Sequence, residues 1–434
     1  GIVNEHGKVY EFELNPLGDL VTESGFDGLT RRYLRDALGQ VRRIQRPDGR
    51  YSTYTYDPAG RITEIIHHNG EREKYEYRAD GTLLKASNVS AHLEFKRDAL
   101  GKVLKEIRGN YWVASEYDAL GNRIRVTSSF GLDQTITRSS EGHVKQVVIG
   151  NAEQAEQFIT QFTRDDVGAE LQRTMPGGIQ SRWRRDKLGR PVQHDIIGGQ
   201  KTHSSKTYVW GMDDRLTKIV DALGRQTIFH HDVLGNLTAA QYSQNHFDLR
   251  MPDAVGNLFR SEAKKDREYG PAGQLLAKHD SRGTTRYQYD AEGNLISKTE
   301  PDGKIWRYEW SAAGFLRKVV RPDGREVQFE YDPLGRRISK SHNGKTTRWV
   351  WDGNNPLHEW VESVRPATHL RLIKPAQSAQ DEIAADQREI ALQPLQSQAP
   401  PVVEEGDEKN PATWLFDPDS FAPMGKMVGK RYYP

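Results

Sequence analysis

The chain has 434 residues, 62 basic and 60 acidic side chains, a net charge of +2 and no cysteine. The balance of charge excludes an overall field that could hold a polyanion, so nucleic acid is not an implied partner. The absence of cysteine excludes disulfides, thiol nucleophiles and thiolate metal sites, so stability has to come from packing and hydrogen bonds.

A glycine returns about every 21 residues along most of the chain, and a weaker series of glycines runs about eleven residues ahead of each return. We call these the main series and the offset series. Such a period is typical of repeat arrays, in which each unit contacts mainly its neighbours. The main series comprises Gly18, Gly39, Gly60, Gly81, Gly101, Gly121, Gly142, Gly168, Gly189, Gly235, Gly256, Gly273, Gly293, Gly314 and Gly335. The offset series comprises Gly7, Gly28, Gly49, Gly70, Gly131, Gly178, Gly224, Gly303 and Gly324, with Asn110 and Asn245 at the same offset.

One period, read from Pro47, divides into a turn, a strand, a second turn and a second strand. The turns are Pro47–Arg50 and Asp57–Gly60, and the strands are Tyr51–Tyr56 and Arg61–His67. Aspartate at the first position and glycine at the fourth suit a type I turn, because the carboxylate caps backbone amides. The predicted structural turn residues are Asp57, Gly60, Asp118, Gly121, Asp186, Gly189, Asp232, Gly235, Asp290, Gly293, Asp332 and Gly335.

The predicted strands alternate with a period of two, as a sheet with one apolar face requires. In residues 305–310, for example, aromatic side chains are separated by Arg307 and Glu309. One face is therefore predicted to be aromatic and the other charged, and stacked cross-strand pairs order the sheet. The predicted aromatic stripe includes Tyr54, Tyr56, Trp306, Tyr308, Trp310, Phe329 and Tyr331.

About sixteen periods supply about thirty strands, which at roughly 4.8 Å each would make a sheet about 150 Å wide. Twisted open sheets rarely exceed about ten strands without curling. The predicted fold class is therefore all-β, with antiparallel hairpins coiled into a continuous curved sheet that forms a hollow shell, or cocoon. Helical repeats are excluded by the period of two, and a propeller with blades of about forty residues is a less favoured alternative.

Four segments are predicted. Residues 1–360 form the repeat shell, 361–374 its edge, 375–412 a loop or linker rich in proline, glutamine and alanine, and 413–434 the start of a further core segment. A short helix is predicted within the linker, at residues 381–392.

The pattern Tyr-Asp-x-x-Gly-x-Leu/Ile, carried by Tyr56–Ile62 and Tyr289–Leu295, resembles the tyrosine-aspartate repeat of the Rhs/YD-repeat family of polymorphic toxins. The likeness runs from about residue 5 to 360, and its specificity comes from many copies in register. Residues 413–423 look like the entry to the conserved core segment of Rhs proteins.

The resemblance implies a secreted effector whose repeats enclose a C-terminal toxin domain, often delivered by a type VI secretion system against competing bacteria. It implies as partners that toxin domain and the remaining Rhs core of the same polypeptide, and further a secretion spike protein, a chaperone and an immunity protein. Residues 1–5 lack the layout of a signal peptide, and no stretch approaches the roughly twenty apolar residues of a membrane span.

The chain opens within a repeat and stops at residues 431–434, before the Asp-His-Leu-Gly segment and the paired self-cleavage motif of the family. The cleavage site, the toxin domain and any spike-binding region are therefore expected to lie outside this chain. The chain itself is expected to be structural rather than an enzyme.

No catalytic residue, cofactor or metal site is predicted. Asp57–Gly60 and Asp332–Gly335 match the cleavage motif in letters but occupy the ordinary turn register, and Asp417-Pro418 lacks the following glycine. His67-His68 and His230-His231 are adjacent strand residues, which point to opposite faces and cannot share one ion.

The leading hypothesis is a shell that isolates a guest polypeptide, with the inward face left undetermined by the sequence. The alternative is an extracellular carbohydrate- or protein-binding adhesion module, as in teneurins, whose aromatic stripes stack on a ligand. A catalytic repeat protein is a third, weaker hypothesis. The basic cluster at residues 182–185 resembles a stacking site for nucleic acid, but nearby acids favour a solvated sheet face.

Overall fold

The computed structural model describes residues 1–150, 157–243, 246–363, 406–407, 409–429 and 431–433. This part of the chain consists of short β-strands and connecting turns, with two 3-10 turns at Pro47–Gly49 and Pro176–Gly178 as its helical segments.

The strands are numbered β1 to β39 in chain order. The first twelve are β1 (Ile2–Val3), β2 (Val9–Leu14), β3 (Leu20–Ser24), β4 (Thr30–Arg35), β5 (Val41–Gln45), β6 (Tyr51–Tyr56), β7 (Ile62–His67), β8 (Arg72–Tyr77), β9 (Leu83–Ser87), β10 (His92–Arg97), β11 (Val103–Arg108) and β12 (Tyr111–Tyr117). The next twelve are β13 (Arg123–Ser128), β14 (Asp133–Arg138), β15 (Val144–Ile149), β16 (Phe158–Arg164), β17 (Glu170–Thr174), β18 (Gln180–Arg185), β19 (Pro191–Gly198), β20 (Lys201–Trp210), β21 (Leu216–Asp221), β22 (Gln226–His231), β23 (Leu237–Ser243) and β24 (His246–Leu249). The last fifteen are β25 (Met251–Pro252), β26 (Leu258–Phe259), β27 (Arg267–Tyr269), β28 (Leu275–Asp280), β29 (Gly283–Tyr289), β30 (Leu295–Thr299), β31 (Ile305–Trp310), β32 (Leu316–Val320), β33 (Glu326–Tyr331), β34 (Arg337–His342), β35 (Lys345–Asp352), β36 (Asn355–Ser363), β37 (Ala412–Phe416), β38 (Pro423–Val428) and β39 (Arg431–Tyr433).

Each strand pairs antiparallel with the next one along the chain, with one interruption. β1 to β24 form one ladder and β27 to β39 form another, while β25 and β26 between them pair only with each other. Side chains connect the two ladders across residues 250–266: Arg260 donates to the carbonyl of Leu249 in β24 at 3.3 Å, and Arg267 of β27 donates to the carbonyl of Leu258 in β26 at 2.7 Å. The predicted ribbon of hairpins is therefore broken once.

The two faces of the ribbon differ as the period of two predicts. In β31, Arg307 and Glu309 are exposed, whereas Trp306, Tyr308 and Trp310 are half-buried. We call the side that carries these rings the YD face and the other the polar face. The same alternation recurs in β8 and β33.

The ribbon coils so that its second part lies along its first. We call β1 to β24 the first coil and β25 to β39 the second coil. Hydrogen bonds and ion pairs join residues between 229 and 281 positions apart, and most of these separations lie near 240. Examples are Asp27–Gln274, Arg50–Asp290, Asn88–Tyr331 and Arg108–Trp349, separated by 247, 240, 243 and 241 residues.

The separation sets the width of the coil. The contact between Arg50, just before β6, and Asp290, just after β29, closes a circuit of 24 strands. At about 4.8 Å per strand the circumference is about 115 Å and the diameter about 35 Å, which leaves an open interior inside a wall about 10 Å thick. The predicted class, an all-β shell of coiled antiparallel hairpins, is confirmed.

The end of the second coil packs directly on the first coil. Val350 and Trp360 of the second coil lie in one buried cluster with Val113, Val126 and Ile149 of the first. A smaller cluster further along is formed by Ile136, Val144, Val147, Phe162 and Met424. This region is the apolar core of the described chain.

The predicted linker at 375–412 and its helix at 381–392 lie outside the described residues, except for 406–407 and 409–412. Residue 412 begins β37, which pairs with β36, so the segment after the linker continues the ladder of the second coil. The proposed boundaries at 360, 374 and 412 remain predictions.

Candidate functional site

The aspartate turns of the main series share one geometry. In Asp57–Gly60 the amide of Gly60 donates to the carbonyl of Asp57 at 2.9 Å, and one carboxylate oxygen of Asp57 accepts from the amides of Ala59 and Arg61 at 3.0 Å each. The hydrogen bond from the backbone of Arg61 leads the interactions that lower the pKa of Asp57. The other predicted turns at Asp118, Asp186, Asp232, Asp290 and Asp332 bind the amide four residues on in the same way, and their glycines, Gly121, Gly189, Gly235, Gly293 and Gly335, have positive φ.

At several main-series turns the residue before the first turn position, which is usually an aspartate, ties its hairpin to the preceding one, and the sequence analysis missed this contact. The hydroxyl of Tyr56 donates to the carbonyl of Val41 at 2.7 Å, and that of Tyr289 to Leu275 at 2.9 Å. In every case the acceptor lies two residues after the preceding main-series glycine. We call this hydrogen bond the inter-repeat staple. The same bond, from a side-chain donor to a carbonyl, joins five further pairs: Tyr117–Val103, Trp210–Pro191, Trp310–Leu295, Trp351–Arg337 and Arg97–Leu83.

Cations cover several rings of the predicted aromatic stripe. The guanidinium of Arg321 lies 5.8 Å from the ring centre of Trp306, and that of Arg337 lies 5.8 Å from Phe329. Tyr331 instead stacks on Phe315 at 4.9 Å. Burial raises the pKa of Tyr56, Tyr308 and Tyr331, while Tyr54 is half-buried on the same face. The stripe is thus packed within the ribbon itself.

The polar face neutralises its own charges across strands. The ammonium of Lys318 lies 2.8 Å from the carboxylate of Glu309 and 3.3 Å from that of Glu326, on the two neighbouring strands. The basic cluster at residues 182–185 bonds to neutral groups instead: Arg182 donates to Gln172 at 2.9 Å, and Trp183 stacks on His194. Several of the charged side chains on this face therefore have partners in the ribbon.

The line along which the two coils meet, which we call the seam, joins opposite edges of the ribbon. Offset-series turns of the first coil meet main-series turns of the second. Arg50, just after an offset turn, lies 3.1 Å from the carboxylate of Asp290, and Arg46 donates to the carbonyl of Ala312 at 3.0 Å. Further along, Arg123, which follows the main-series turn at Gly121, forms a bidentate pair with Asp352 at 2.7 and 2.8 Å. Both edges of the first coil therefore contact the second coil. The seam is held mainly by ion pairs and single hydrogen bonds up to this point.

The most deeply buried charges of the described chain lie in the seam. Arg336 binds Asp332 at 2.7 Å, contacts Glu106 of the first coil and donates to the carbonyl of Gly353 at 2.8 Å. Asp332 is 1% exposed, and burial raises the pKa of Glu106. The Asp-Pro-x-Gly letters at residue 332 therefore belong to a turn locked into the seam.

The histidines form hydrogen bonds within the wall. The ring of His67 forms hydrogen bonds with the hydroxyl of Ser52 at 2.9 Å and with the carboxylate of Glu73 at 3.4 Å. Both His67 and Ser52 are buried. His358 lies between Ser128 and Thr413 at 2.8 and 2.9 Å, and burial lowers its pKa to about 3. Asp417 pairs with Arg173 at 3.2 Å in the turn before β38. No group of three or more metal-ligating side chains occurs among the described residues.

These features define the chain as a coiled wall of tandem β-hairpins, tied together by turn aspartates and staples. Five segments match the RHS Repeat family model, at residues 35–72, 212–245, 269–305, 289–326 and 310–347. The chain therefore contains repeats of the Rhs/YD type in these segments.

Two curated relatives are toxins. The chain is 28% identical over 295 residues to the double-stranded DNA deaminase toxin A of Burkholderia cenocepacia, covering 62% of this chain and 20% of the relative. It is 27% identical over 338 residues to the toxin protein Tse5 of Pseudomonas aeruginosa, covering 67% of this chain and 25% of the relative. The chain thus spans a fifth to a quarter of the length of these relatives.

A crystal structure of TcdB2-TccC3 is similar at 16% identity and a TM-score of 0.49, covering 83% of this chain and 22% of that chain. The part of the chain that the structure describes contains no helix long and apolar enough to cross a membrane.

Proposed function

We propose that this chain is the encapsulating wall of an Rhs-type toxin and holds a C-terminal toxin domain of the same polypeptide. The observation that carries the proposal is the closed circuit of 24 strands between Arg50 and Asp290, because a wall closed upon itself separates a guest from its surroundings. The relatives support it, since two proteins with similar repeats are named as toxins.

The surface chemistry supports containment rather than tight binding. Charges on the polar face are paired across strands, and rings on the YD face are stacked or covered by cations. Whichever face lines the interior, a guest meets several groups that already have partners. Its release therefore costs few specific contacts.

Protection of a guest tests this proposal. A protease-sensitive polypeptide fused after residue 434 should survive limited proteolysis, and should be cut rapidly when the seam is weakened by Arg50→Glu and Arg123→Glu together. Arg225→Glu is the matched control, because its partner Asp221 lies in the same exposed turn. Equal cleavage of the fusion in all three proteins would contradict enclosure.

We further propose that the intact protein is a secreted effector of interbacterial competition, delivered by a type VI secretion system. A spike protein, a chaperone and an immunity protein are its proposed partners, and residues 413–434 are proposed to begin the Rhs core. Co-culture tests delivery: a strain producing the protein should outcompete a recipient that lacks the immunity protein. The advantage should disappear when the secretion system is inactivated, and an unchanged advantage would contradict this route.

A further inference from the structure

Two residues of the seam differ from their counterparts in the neighbouring repeats. Glu106 lies five residues after main-series Gly101, and the same position is apolar in the two repeats on either side: Ile65, Ala86, Val126 and Val147. Arg336 directly follows Gly335, whereas the other main-series turns of the second coil have Asn257, Gln274, Asn294 and Phe315 at this position. We call Glu106 and Arg336 the register pair.

The register pair is buried between the two coils. The side chains of Arg336 and Glu106 are in contact and are 7% and 13% exposed. Val113 and Val350, which line the same small cavity as the pair, belong to the apolar core. A carboxylate buried in such surroundings is strongly unfavourable without its cation.

The other polar contacts in this part of the seam distinguish poorly between one repeat and the next. Three first-coil side chains, each seven residues after a main-series glycine, donate to backbone carbonyls of the second coil: Arg46–Ala312, Asn88–Tyr331 and Arg108–Trp349. Every repeat has backbone carbonyls, so these donors would find an acceptor one repeat away. Arg50 would lose Asp290, but its side chain is 29% exposed and water would solvate it.

A displacement of the second coil by one repeat would separate the register pair. Arg336 would then lie opposite the position of Ala86 or Val126, and Glu106 would lose its cation. The apolar cluster around Trp360 selects less strongly, because the hydrophobic effect has no direction. Since a repeat contains two strands, the circuit of 24 strands would lose or gain two. The diameter of the coil would change by about 3 Å.

We propose that Glu106 and Arg336 set the register in which the second coil winds on the first, and with it the number of strands in a circuit. A buried polar pair can select one register among several that pack similarly. Separating these two charges inside the seam disfavours the neighbouring registers by roughly a hundredfold or more. Replacing both residues together should therefore change the register more than the stability.

The neighbouring repeats supply a variant without unpaired charges, Glu106→Val with Arg336→Asn. Valine is the residue found at Val126, the counterpart of Glu106 in the next repeat. Asparagine has a precedent in Asn294, which donates to the turn carboxylate of Asp290 at 3.1 Å. Both substitutions thus place residues in surroundings that the fold already accommodates.

A second variant and a control accompany this one. Glu106→Val alone leaves no buried anion unpaired, because Arg336 keeps its bond to Asp332 at 2.7 Å. The control is Glu76→Leu with Lys85→Met, which removes an exposed ion pair of 3.0 Å within the first coil. The control should leave the register unchanged.

The distance between two spin labels measures the register. The chain has no cysteine, so Lys74→Cys and Leu276→Cys, at two exposed residues, provide the two thiols for labelling. Leu276 in β28 lies four strands before β32, where Arg317 pairs with Glu71 beside β8. A displacement by one repeat therefore changes the separation of the labels along the seam by about 10 Å.

The labelled chain with an intact register pair should show a single distance, and so should the control. Each of the two register variants should show a second distance, shifted by about 10 Å, in about a tenth of the molecules or more. Circular dichroism verifies that every variant keeps its β-structure.

Three outcomes would overturn the proposal: a single, native distance in both register variants, a second distance while the register pair is intact, or the same second distance in the control. The labels report the path of the ribbon and not the presence of a guest. This proposal and the proposed function can therefore fail separately.

Discussion

At the scale of single residues, the position before a main-series turn does two tasks in several repeats. Its ring or guanidinium packs on the YD face, and its donor group reaches the preceding hairpin. Tyr, Trp and Arg differ in shape, yet Tyr289, Trp310 and Arg97 all donate to the carbonyl two residues after a main-series glycine. The repeat therefore selects for a long side chain with a terminal donor rather than for tyrosine alone.

Removing one staple should weaken one pair of hairpins. Tyr289→Phe deletes the hydroxyl that bonds the half-buried carbonyl of Leu275, so local stability should fall by about 0.5–1.5 kcal/mol. Native-state hydrogen exchange across β28 and β29 measures the loss. Tyr308→Phe is the control, because no hydrogen bond of the Tyr308 hydroxyl occurs within the described chain; an equal effect of both changes would argue against the staple.

At the scale of the hairpin, the turn fixes where the backbone reverses, and the two strands then pair on either side of it. The turn aspartate binds two amides, and the glycine three residues later reverses the backbone with a positive φ. Gly293 has a φ of +82°, and a Cβ built there meets no atom within 4 Å. Glycine is therefore required at this position for its backbone conformation and not for lack of space.

Gly293→Ala should cost about 1–2 kcal/mol, because an L-residue with a side chain pays that penalty in the left-handed region. Gly293→Asn should cost less, since asparagine tolerates this conformation. Chemical denaturation, with hydrogen exchange of β29 and β30 to localise the effect, checks the order. An alanine variant as stable as the asparagine variant would show that the turn relaxes to another conformation.

The hairpins were predictable from local sequence, and the contacts between distant hairpins were not. Alternation in residues 305–310 and the letters of Asp57–Gly60 define faces and turns within a few positions. The staple was also predictable, because a side chain with a terminal donor precedes several of the main-series turns. The break at residues 250–266 was marked by the interval from Gly256 to Gly273, which is 17 residues instead of about 21.

At the scale of the whole molecule, the seam decides how the coil closes. Its partners lie about 240 residues apart, so no local pattern identifies them. The early seam depends on polar contacts such as Arg50–Asp290, and the later seam adds the apolar cluster around Trp360, which is fully buried. The second coil is thus fastened more firmly at its end than at its start.

Arg336→Met should be among the most damaging single changes, because it leaves the buried carboxylates of Asp332 and Glu106 without their cation. Breaking one partner of a buried ion pair costs about 3–5 kcal/mol. Arg225→Met is the matched control: its side chain is 75% exposed beside Asp221, and its loss should cost no more than about 1 kcal/mol. Denaturant midpoints of the two variants compare the sites, and similar losses would contradict a buried seam.

The late seam should also weaken in mild acid through His358. Burial lowers its pKa to about 3, whereas in the unfolded chain it takes up a proton below its ordinary value of 6.5. The free energy of unfolding should therefore fall by about 1.4 kcal/mol per pH unit between 6.5 and 3 on account of this group. His358→Gln should remove that component of the pH dependence, and a variant with an unchanged slope would assign the effect to other groups.

The spacing of the seam governs how such a wall can change in evolution. The circuit that Arg50 and Asp290 close takes 240 residues, or between eleven and twelve repeats. At this spacing, duplicating one repeat leaves the inner diameter of the coil unchanged. It adds about 2 Å to the length of the coil, since a strand of six residues spans about 20 Å. The wall can therefore lengthen in small, even increments as the gene lengthens, and no single hairpin needs a new geometry.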